Sequence, residues 1–202
     1  MRKLKVLCLH GYGQNKEVFR SRLGSLRRSF KSSVDFEFID APLVVEPFGE
    51  PPPQGDPRAW WHKSDTEGTG IDASIEIVKE AVLNNGPFDG ILGFSQGAAL
   101  LGVISAYINS KAIDFPELKF VILVAGYKYQ LKEDYFNEII NIPSFHVIGD
   151  TDQIIAKERS ELLRQSFKDP QILSHKGGHY VPCSSEFRPC WKEFFDSILC
   201  KL

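Results

Sequence analysis

No stretch of the 202-residue chain approaches the ~18 consecutive apolar residues that a membrane-spanning helix requires, so no stable insertion into a bilayer is expected. The basic start Met1-Arg2-Lys3 leads into an apolar run that ends by Leu9, too short for the core of a signal peptide. Cysteine is scarce. The four present, Cys8, Cys183, Cys190 and Cys200, form no C-x-x-C pair, a pattern that suits a reducing compartment. Neither charge dominates, and a formal net charge of −2 gives no electrostatic case for nucleic acid or an anionic membrane surface as a partner. Internal repeats and dividing linkers are absent, as are G-x-G-x-x-G and a Lys-Ser/Thr ending to any glycine loop, which excludes the common phosphate-binding motifs. We therefore expect a soluble intracellular protein, cytoplasmic with the nucleus also compatible, built as one domain over residues 1–202.

What is present alternates. Val6-Leu7-Cys8-Leu9 and Phe120-Val121-Ile122-Leu123-Val124-Ala125-Gly126 read as strands covered on both faces, with Phe36 to Ile39, Ser144 to Gly149 and Gln171 to His175 as further strands. Between them, helical spacing recurs from Lys16 to Phe30, Ile71 to Leu83, Ala156 to Phe167 and Glu186 to Leu202, with a peripheral helix from Leu131 to Ile140. Strand–helix alternation implies a mostly parallel central sheet with helices on both faces and right-handed crossovers. Residues 40–70 break the rhythm. They are rich in proline and carry Phe48, Trp60 and Trp61, so they read as a long irregular excursion, and its aromatics argue for a functional loop.

The densest signal is Phe88-Asp89-Gly90-Ile91-Leu92-Gly93-Phe94-Ser95-Gln96-Gly97-Ala98, where a strand runs into a helix, Gln96 to Ile108, through a serine turn. A nucleophile on such a sharp turn needs small residues two positions before and after it, and Gly93 and Gly97 stand there. The turn places Ser95 at a helix N-terminus, whose free N–H groups and dipole favour a developing oxyanion, with the Gln96 N–H as one donor. Alone, Gly-x-Ser-x-Gly is a weak motif.

Partners strengthen it. Sites in a parallel sheet form at the carboxyl ends of strands, and there stand Ser95, then Asp150 or Asp152, then His179, in the chain order of the α/β-hydrolase arrangement. A neutral imidazole at His179 suits a general base for the Ser95 hydroxyl, and a carboxylate must fix its tautomer. Asp152 is preferred because it lies nearer the apolar Ile154-Ile155, while Asp150 directly follows Gly149 and is suited to holding the turn. The loop His10-Gly11-Tyr12-Gly13 follows an early strand, so its Tyr12 N–H is assigned as the second oxyanion donor, against the reading of an ordinary βα loop. His10 and His146 are read as structural, and His62 lies in the excursion. His175, His179 and Cys183 stand at four-residue intervals, but Gly177-Gly178 and Pro182 deny them the helix that would align metal ligands, so no metal is expected. Trp60, Trp61, Phe48, Ile154 and Val181 are candidates for an apolar acyl pocket, with core anchoring as the competing role of the tryptophan pair.

Taken together, His10-Gly11-Tyr12-Gly13-Gln14, Arg58-Ala59-Trp60-Trp61, Gly86-Pro87-Phe88-Asp89-Gly90, Gly93-Phe94-Ser95-Gln96-Gly97-Ala98, Phe145-His146-Val147-Ile148-Gly149-Asp150-Thr151-Asp152 and Gly177-Gly178-His179 resemble the FSH-type family of serine hydrolases. The resemblance covers nearly the whole chain. It implies a compact, three-layer α/β-hydrolase without a separate cap domain, acting on carboxylic esters, with Ser95, Asp152 and His179 matching the family's triad. A more distant similarity to acyl-protein thioesterases, where the second Asp of a Gly-Asp-x-Asp loop is the triad acid, also favours Asp152. The excursion is shorter than in many members. The expected reaction is hydrolysis of a small ester or thioester with an apolar acyl chain, without metal or organic cofactor. Peptide hydrolysis and a non-catalytic binding module on the same fold are the competing readings.

Overall fold

The computed structural model describes residues 2–47, 54–65 and 67–202. Five parallel ladders join six strands in the order β2-β1-β5-β6-β7-β8: β1 (Leu4–Leu9), β2 (Val34–Ile39), β5 (Gly90–Phe94), β6 (Phe120–Val124), β7 (Ser144–Gly149) and β8 (Gln171–His175). The sheet was expected to be mostly parallel, and every one of its pairings is parallel. The excursion is less irregular than its composition suggests, because Leu43–Val44 (β3) and Arg58–Ala59 (β4) pair as a small antiparallel ribbon outside the main sheet. Phe48 falls outside the described residues.

Among the described residues, six α-helices cover the sheet: α1 (Lys16–Arg22), α2 (Gly24–Ser29), α3 (Thr69–Asn85), α4 (Gln96–Asn109), α5 (Lys157–Arg164) and α6 (Arg188–Leu199). Alternate residues of each strand feed opposite faces, as the two-residue period of a strand requires. Leu7, Leu9 and Ile91 pack with the apolar sides of α3 and α4 and with Leu163 of α5. Val6, Cys8, Leu92, Phe94 and Phe145 pack with α1, α2 and α6. The helix expected from Lys16 to Phe30 is two helices meeting at Leu23. Because Leu23 still donates to the Phe19 carbonyl and accepts from the Arg27 N–H, the apolar period runs through the bend unbroken. Leu131 to Ile140 is not an α-helix: a 3-10 segment spans Gln130–Phe136, and Ile140 bridges to Phe167 instead. No helix of the described residues is long and apolar enough to cross a membrane.

The topology decides where a site can form. The chain leaves β1 toward β2 at one edge, then returns to place β5 on the other side of β1 and proceeds outward through β6, β7 and β8. Such a reversal opens a crevice at the carboxyl ends of the two central strands. The segment after β1 holds His10 to Gly13 and the segment after β5 holds Ser95, so the two meet at that crevice.

Two of the three buried histidines give the fold a specific acid sensitivity. His10 is fully buried with both ring nitrogens used: Nδ1–H donates to the Gly11 carbonyl at 2.8 Å, and Nε2 accepts the Ala41 N–H at 3.0 Å. Burial, only partly opposed by the bond to Gly11, pushes its pKa down to about 4. His146, in β7 and edge-on to Phe167, is pushed down to about 3 by burial and by Arg164. Both stay neutral in the folded chain where the unfolded chain takes up protons. Stability present above pH 6.5 is therefore lost as pH falls from 6.5 toward 4, by about 3 kcal/mol for His10 alone. Urea unfolding at pH 7 and pH 4.5 checks this, and His146→Leu should make the dependence shallower.

Candidate active site

The serine turn is strained, as a nucleophile turn requires. Ser95 adopts φ 53°, ψ −114°, outside the regions a non-glycine residue ordinarily occupies, and a strain of about 1–3 kcal/mol persists only where surroundings enforce it. The enforcement is visible. The Ser95 N–H donates to the Val124 carbonyl of β6 at 2.9 Å, and its carbonyl accepts the Ala99 N–H at 2.9 Å. The flanking glycines are a matter of contact distance: a Cβ on Gly93 would lie 2.4 Å from the Gly97 carbonyl oxygen, and one on Gly97 would lie 2.4 Å from that of Leu9.

Three loops bring three side chains together. The Ser95 Oγ lies 2.9 Å from His179 Nε2, and His179 Nδ1 lies 2.7 Å from Asp152 Oδ2. A carboxylate oxygen at Nδ1 accepts from Nδ1–H, and in that neutral tautomer Nε2 is the acceptor facing the Ser95 hydroxyl. Asp152 is itself fixed, its Oδ1 accepting the N–H groups of Ile154 at 2.8 Å and Ile155 at 2.9 Å. Asp150 turns the other way. It binds Lys157 Nζ at 2.5 Å and Ser174 Oγ at 2.9 Å, and these two bonds hold its carboxyl below the usual range. Of the two aspartates, then, Asp152 is the one in contact with His179, and Asp150 ties the loop to α5 and β8.

The His179 loop is held at both ends. Before it, Thr151 N–H donates to the Gly177 carbonyl at 3.2 Å, and Gly149 allows an approach so close that a Cβ there would lie 2.5 Å from the Gly178 carbonyl oxygen. After it, the fully buried Trp191 donates its indole N–H to the Pro182 carbonyl at 2.9 Å. The His179 ring lies against Phe94, centroids 4.8 Å apart. His175 is buried with its Nδ1 accepting the Gly177 N–H, a loop support and not a ligand. Among the described residues, no group of three His, Cys, Asp or Glu side chains is placed to hold a metal.

Among the described residues, two backbone donors next to the serine turn are left without a protein acceptor: neither the Tyr12 N–H nor the Gln96 N–H is taken, while the neighbouring Gly11, Gly13 and Gln14 N–H groups are all bonded. Gln96 also has a role that its place in the motif did not reveal. Its side-chain Oε1 accepts the Trp60 N–H at 2.9 Å and its Nε2 donates to the Trp61 carbonyl at 2.8 Å, as a neighbouring strand would. A buried glutamine at the start of an apolar helix was the available signal, since such a side chain must find partners.

The candidate pocket residues separate. Trp60 carries no exposed surface: its ring packs on His10, its indole N–H donates to the His10 carbonyl at 2.8 Å, and it anchors the excursion in the core. Trp60 is thus a core residue and not a pocket wall. Trp61 is 5% exposed and packs against Tyr129 with the rings tilted, centroids 4.9 Å apart, and it lines a cavity of about 510 Å³. Ile154 is more than half exposed, and Val181 is half-buried against the core beneath α6; neither lines that cavity.

Comparison with known proteins gives the family and the fold. The family "Serine hydrolase (FSH1)" matches residues 1–189. Esterase OVCA2 of Xenopus tropicalis is 39% identical, covering 98% of this chain and 94% of its own. Esterase CG5412 of Drosophila melanogaster is also 39% identical over 98% of this chain and 75% of its own, and human esterase OVCA2 is 32% identical over 98% and 97%. Among solved structures, Arabidopsis thaliana SOBER1 superposes with a TM-score of 0.69 at 16% identity, covering 98% of this chain and all of its own. Zea mays acyl-protein thioesterase 2 superposes at 0.67 with 20% identity over 98% and 95%, and these likenesses establish the α/β-hydrolase fold. With the family matched over nearly its full length and relatives above 30% identity spanning almost all of it, the chain belongs to the FSH1 family of serine hydrolases.

Proposed function

We propose that the protein is a carboxylic ester hydrolase working through an acyl-enzyme, with Ser95 as nucleophile, His179 as general base and acid, and Asp152 as the carboxylate that orients His179. The observation that carries the reading is the continuous chain Oγ–Nε2–Nδ1–Oδ2 at 2.9 and 2.7 Å, made by residues from three different loops. Ser95 Oγ attacks the ester carbonyl carbon while its proton passes to His179 Nε2. The carbonyl π electrons move to oxygen, and the Tyr12 and Gln96 N–H groups receive that oxyanion. One such donor contributes about 3 kcal/mol to the transition state in serine proteases. As the tetrahedral intermediate collapses, the C–O bond to the alcohol breaks and the His179 proton goes to the departing oxygen. Water then attacks the acyl-enzyme, giving its proton to His179; the carboxylic acid leaves, and the proton returns to Ser95. Asp152 stays ionised throughout and stabilises the imidazolium formed in each half-reaction.

A panel of 4-nitrophenyl esters set beside the matching anilides tests the proposal. The expected result is ester turnover far exceeding anilide turnover, with Ser95→Ala reducing kcat by at least about three orders of magnitude. Ester turnover that survives Ser95→Ala would overturn it, and faster anilide cleavage would make the protein a peptide hydrolase.

A further inference from the structure

The cavity of about 510 Å³ lies where the excursion meets the segments after β6 and β7, and its lining is not that of an apolar acyl pocket. Three cations, Lys63, Lys128 and Arg159, share it with Trp61, Tyr127 and Tyr129, against the single carboxylate of Asp65. That carboxylate is turned onto backbone donors: Oδ1 accepts the N–H groups of Glu67 and Gly68, and Oδ2 that of Gly70. Among the described residues, Lys128 and Arg159 have no carboxylate partner. Lys128 Nζ sits 5.4 Å from the Phe136 ring centroid, and the Arg159 guanidinium lies 4.4 Å over the Tyr127 ring. A guanidinium laid on an aromatic face keeps its edge, with its fork of N–H donors, open to a planar anion. The Tyr127 hydroxyl makes no hydrogen bond among the described residues, and burial raises its pKa to about 12, so it remains a donor.

The walls of the cavity are tied to the Ser95 turn by neighbouring contacts. Lys63 Nζ lies 4.5 Å from the centroid of the Tyr12 ring. The Trp61 carbonyl is held by the side chain of Gln96, the residue after Ser95. β6, whose Val124 carbonyl holds the Ser95 N–H, leads through Ala125 and Gly126 directly to Tyr127. Ser160 Oγ donates to the Gly126 carbonyl at 2.8 Å, fixing the helix that carries Arg159 against that segment.

Resting on the esterase reading of Ser95, we propose that this cavity receives a second, ionised carboxyl group of the substrate, so that the preferred substrates are half-esters of dicarboxylic acids. The Arg159 guanidinium, the Lys128 ammonium and the Tyr127 hydroxyl bind the carboxylate while the ester end reaches Ser95. This specificity is electrostatic and weakens as salt is raised.

The test compares mono-4-nitrophenyl glutarate with 4-nitrophenyl pentanoate, which share leaving group and acyl length and differ only in the terminal carboxylate. The intact protein should show the higher kcat/KM for the half-ester, mainly through KM. The ratio of the two should fall about ten- to hundredfold in an Arg159→Gln/Lys128→Gln double variant, the range for loss of a charge-assisted bond. A ratio near one in the intact protein, or one the double variant leaves unchanged, overturns the proposal. A second readout does not depend on turnover: glutarate alone should raise the thermal midpoint of Ser95→Ala, and not that of Ser95→Ala carrying both cation substitutions. If neither ester is hydrolysed, the esterase reading falls, and the glutarate shift still decides the cavity, its absence counting against it.

Discussion

Asp152→Asn is expected to lower kcat for ester hydrolysis by about four orders of magnitude while leaving the chain folded, the size of the equivalent change in serine proteases. The reason is tautomeric. An Asn offers His179 Nδ1 an amide N–H as readily as an oxygen, so the proton moves to Nε2, and Nε2 can no longer accept from Ser95 at 2.9 Å. Folding should survive because the Asn carbonyl oxygen can still accept the Ile154 and Ile155 N–H groups that Oδ1 now binds. Asp150→Asn is the comparison. Its contacts are to Lys157 and Ser174 on the exposed side of the loop, and exposed ion pairs contribute little, so kcat should change by less than about tenfold. Steady-state kinetics with circular dichroism on both variants checks the pair of expectations. The larger loss at Asp150 would reverse the roles of the two aspartates.

Gly97→Ala should be among the most damaging single-methyl changes in the molecule's centre. Its Cβ would lie 2.4 Å from the Leu9 carbonyl oxygen and 2.7 Å from that of His10, both main-chain atoms at the end of the central strand β1. Backbone there cannot yield as a side chain does, so α4 must shift away from β1. Overpacking of this kind costs about 1–3 kcal/mol, which for a chain of this size lowers the thermal midpoint by roughly 3–10 °C. Activity should fall further than stability, because the same shift moves the Gln96 N–H and the Ser95 Oγ off the positions that His179 and the Tyr12 loop define. Gly102→Ala, one helical turn and a half along α4, separates the two effects. Its Cβ would meet Leu163 Cδ1 at 3.1 Å, the end of a flexible side chain and not backbone, and helix propensity favours the change. Differential scanning calorimetry on the two variants should show a clear loss for Gly97→Ala and a small shift of either sign for Gly102→Ala.

The sheet was legible in the sequence because a strand covered on both faces has to be largely apolar, and Val6 to Leu9 and Phe120 to Val124 have that composition, while Phe145 to Ile148 departs from it only at His146. The serine turn was legible because steric exclusion at Gly93 and Gly97 leaves a mark in residue identity. Choosing between Asp150 and Asp152 from sequence was a matter of which lay nearer Ile154-Ile155. In the structure those two N–H groups are bound by Asp152 Oδ1, and its Oδ2 lies 2.7 Å from His179 Nδ1.

Other features leave no such mark. The bend at Leu23 preserves the i to i−4 bonds on either side, so the apolar period gives no sign of it. The Gln130–Phe136 segment has enough apolar residues to pass for an α-helix, yet Lys132 at φ −126°, ψ 23° breaks it. The division of Trp60 from Trp61 depends on where the excursion's backbone is clamped, and the clamp is Gln96, 35 residues away from Trp61 in the chain. Long-range contacts of that kind have no local signature, and the same is true of the cationic cavity, whose residues come from the excursion, the segment after β6 and the helix α5.

The most direct test of the Ser95–His179–Asp152 chain is active-site labelling with a fluorophosphonate followed by intact-mass measurement and peptide mapping. Stoichiometric phosphonylation of Ser95 is expected, absent in Ser95→Ala and greatly slowed in His179→Ala, because the reagent reports a serine activated by its base. An unlabelled intact protein, or equal labelling after Ser95→Ala, would contradict the assignment of Ser95 as the nucleophile.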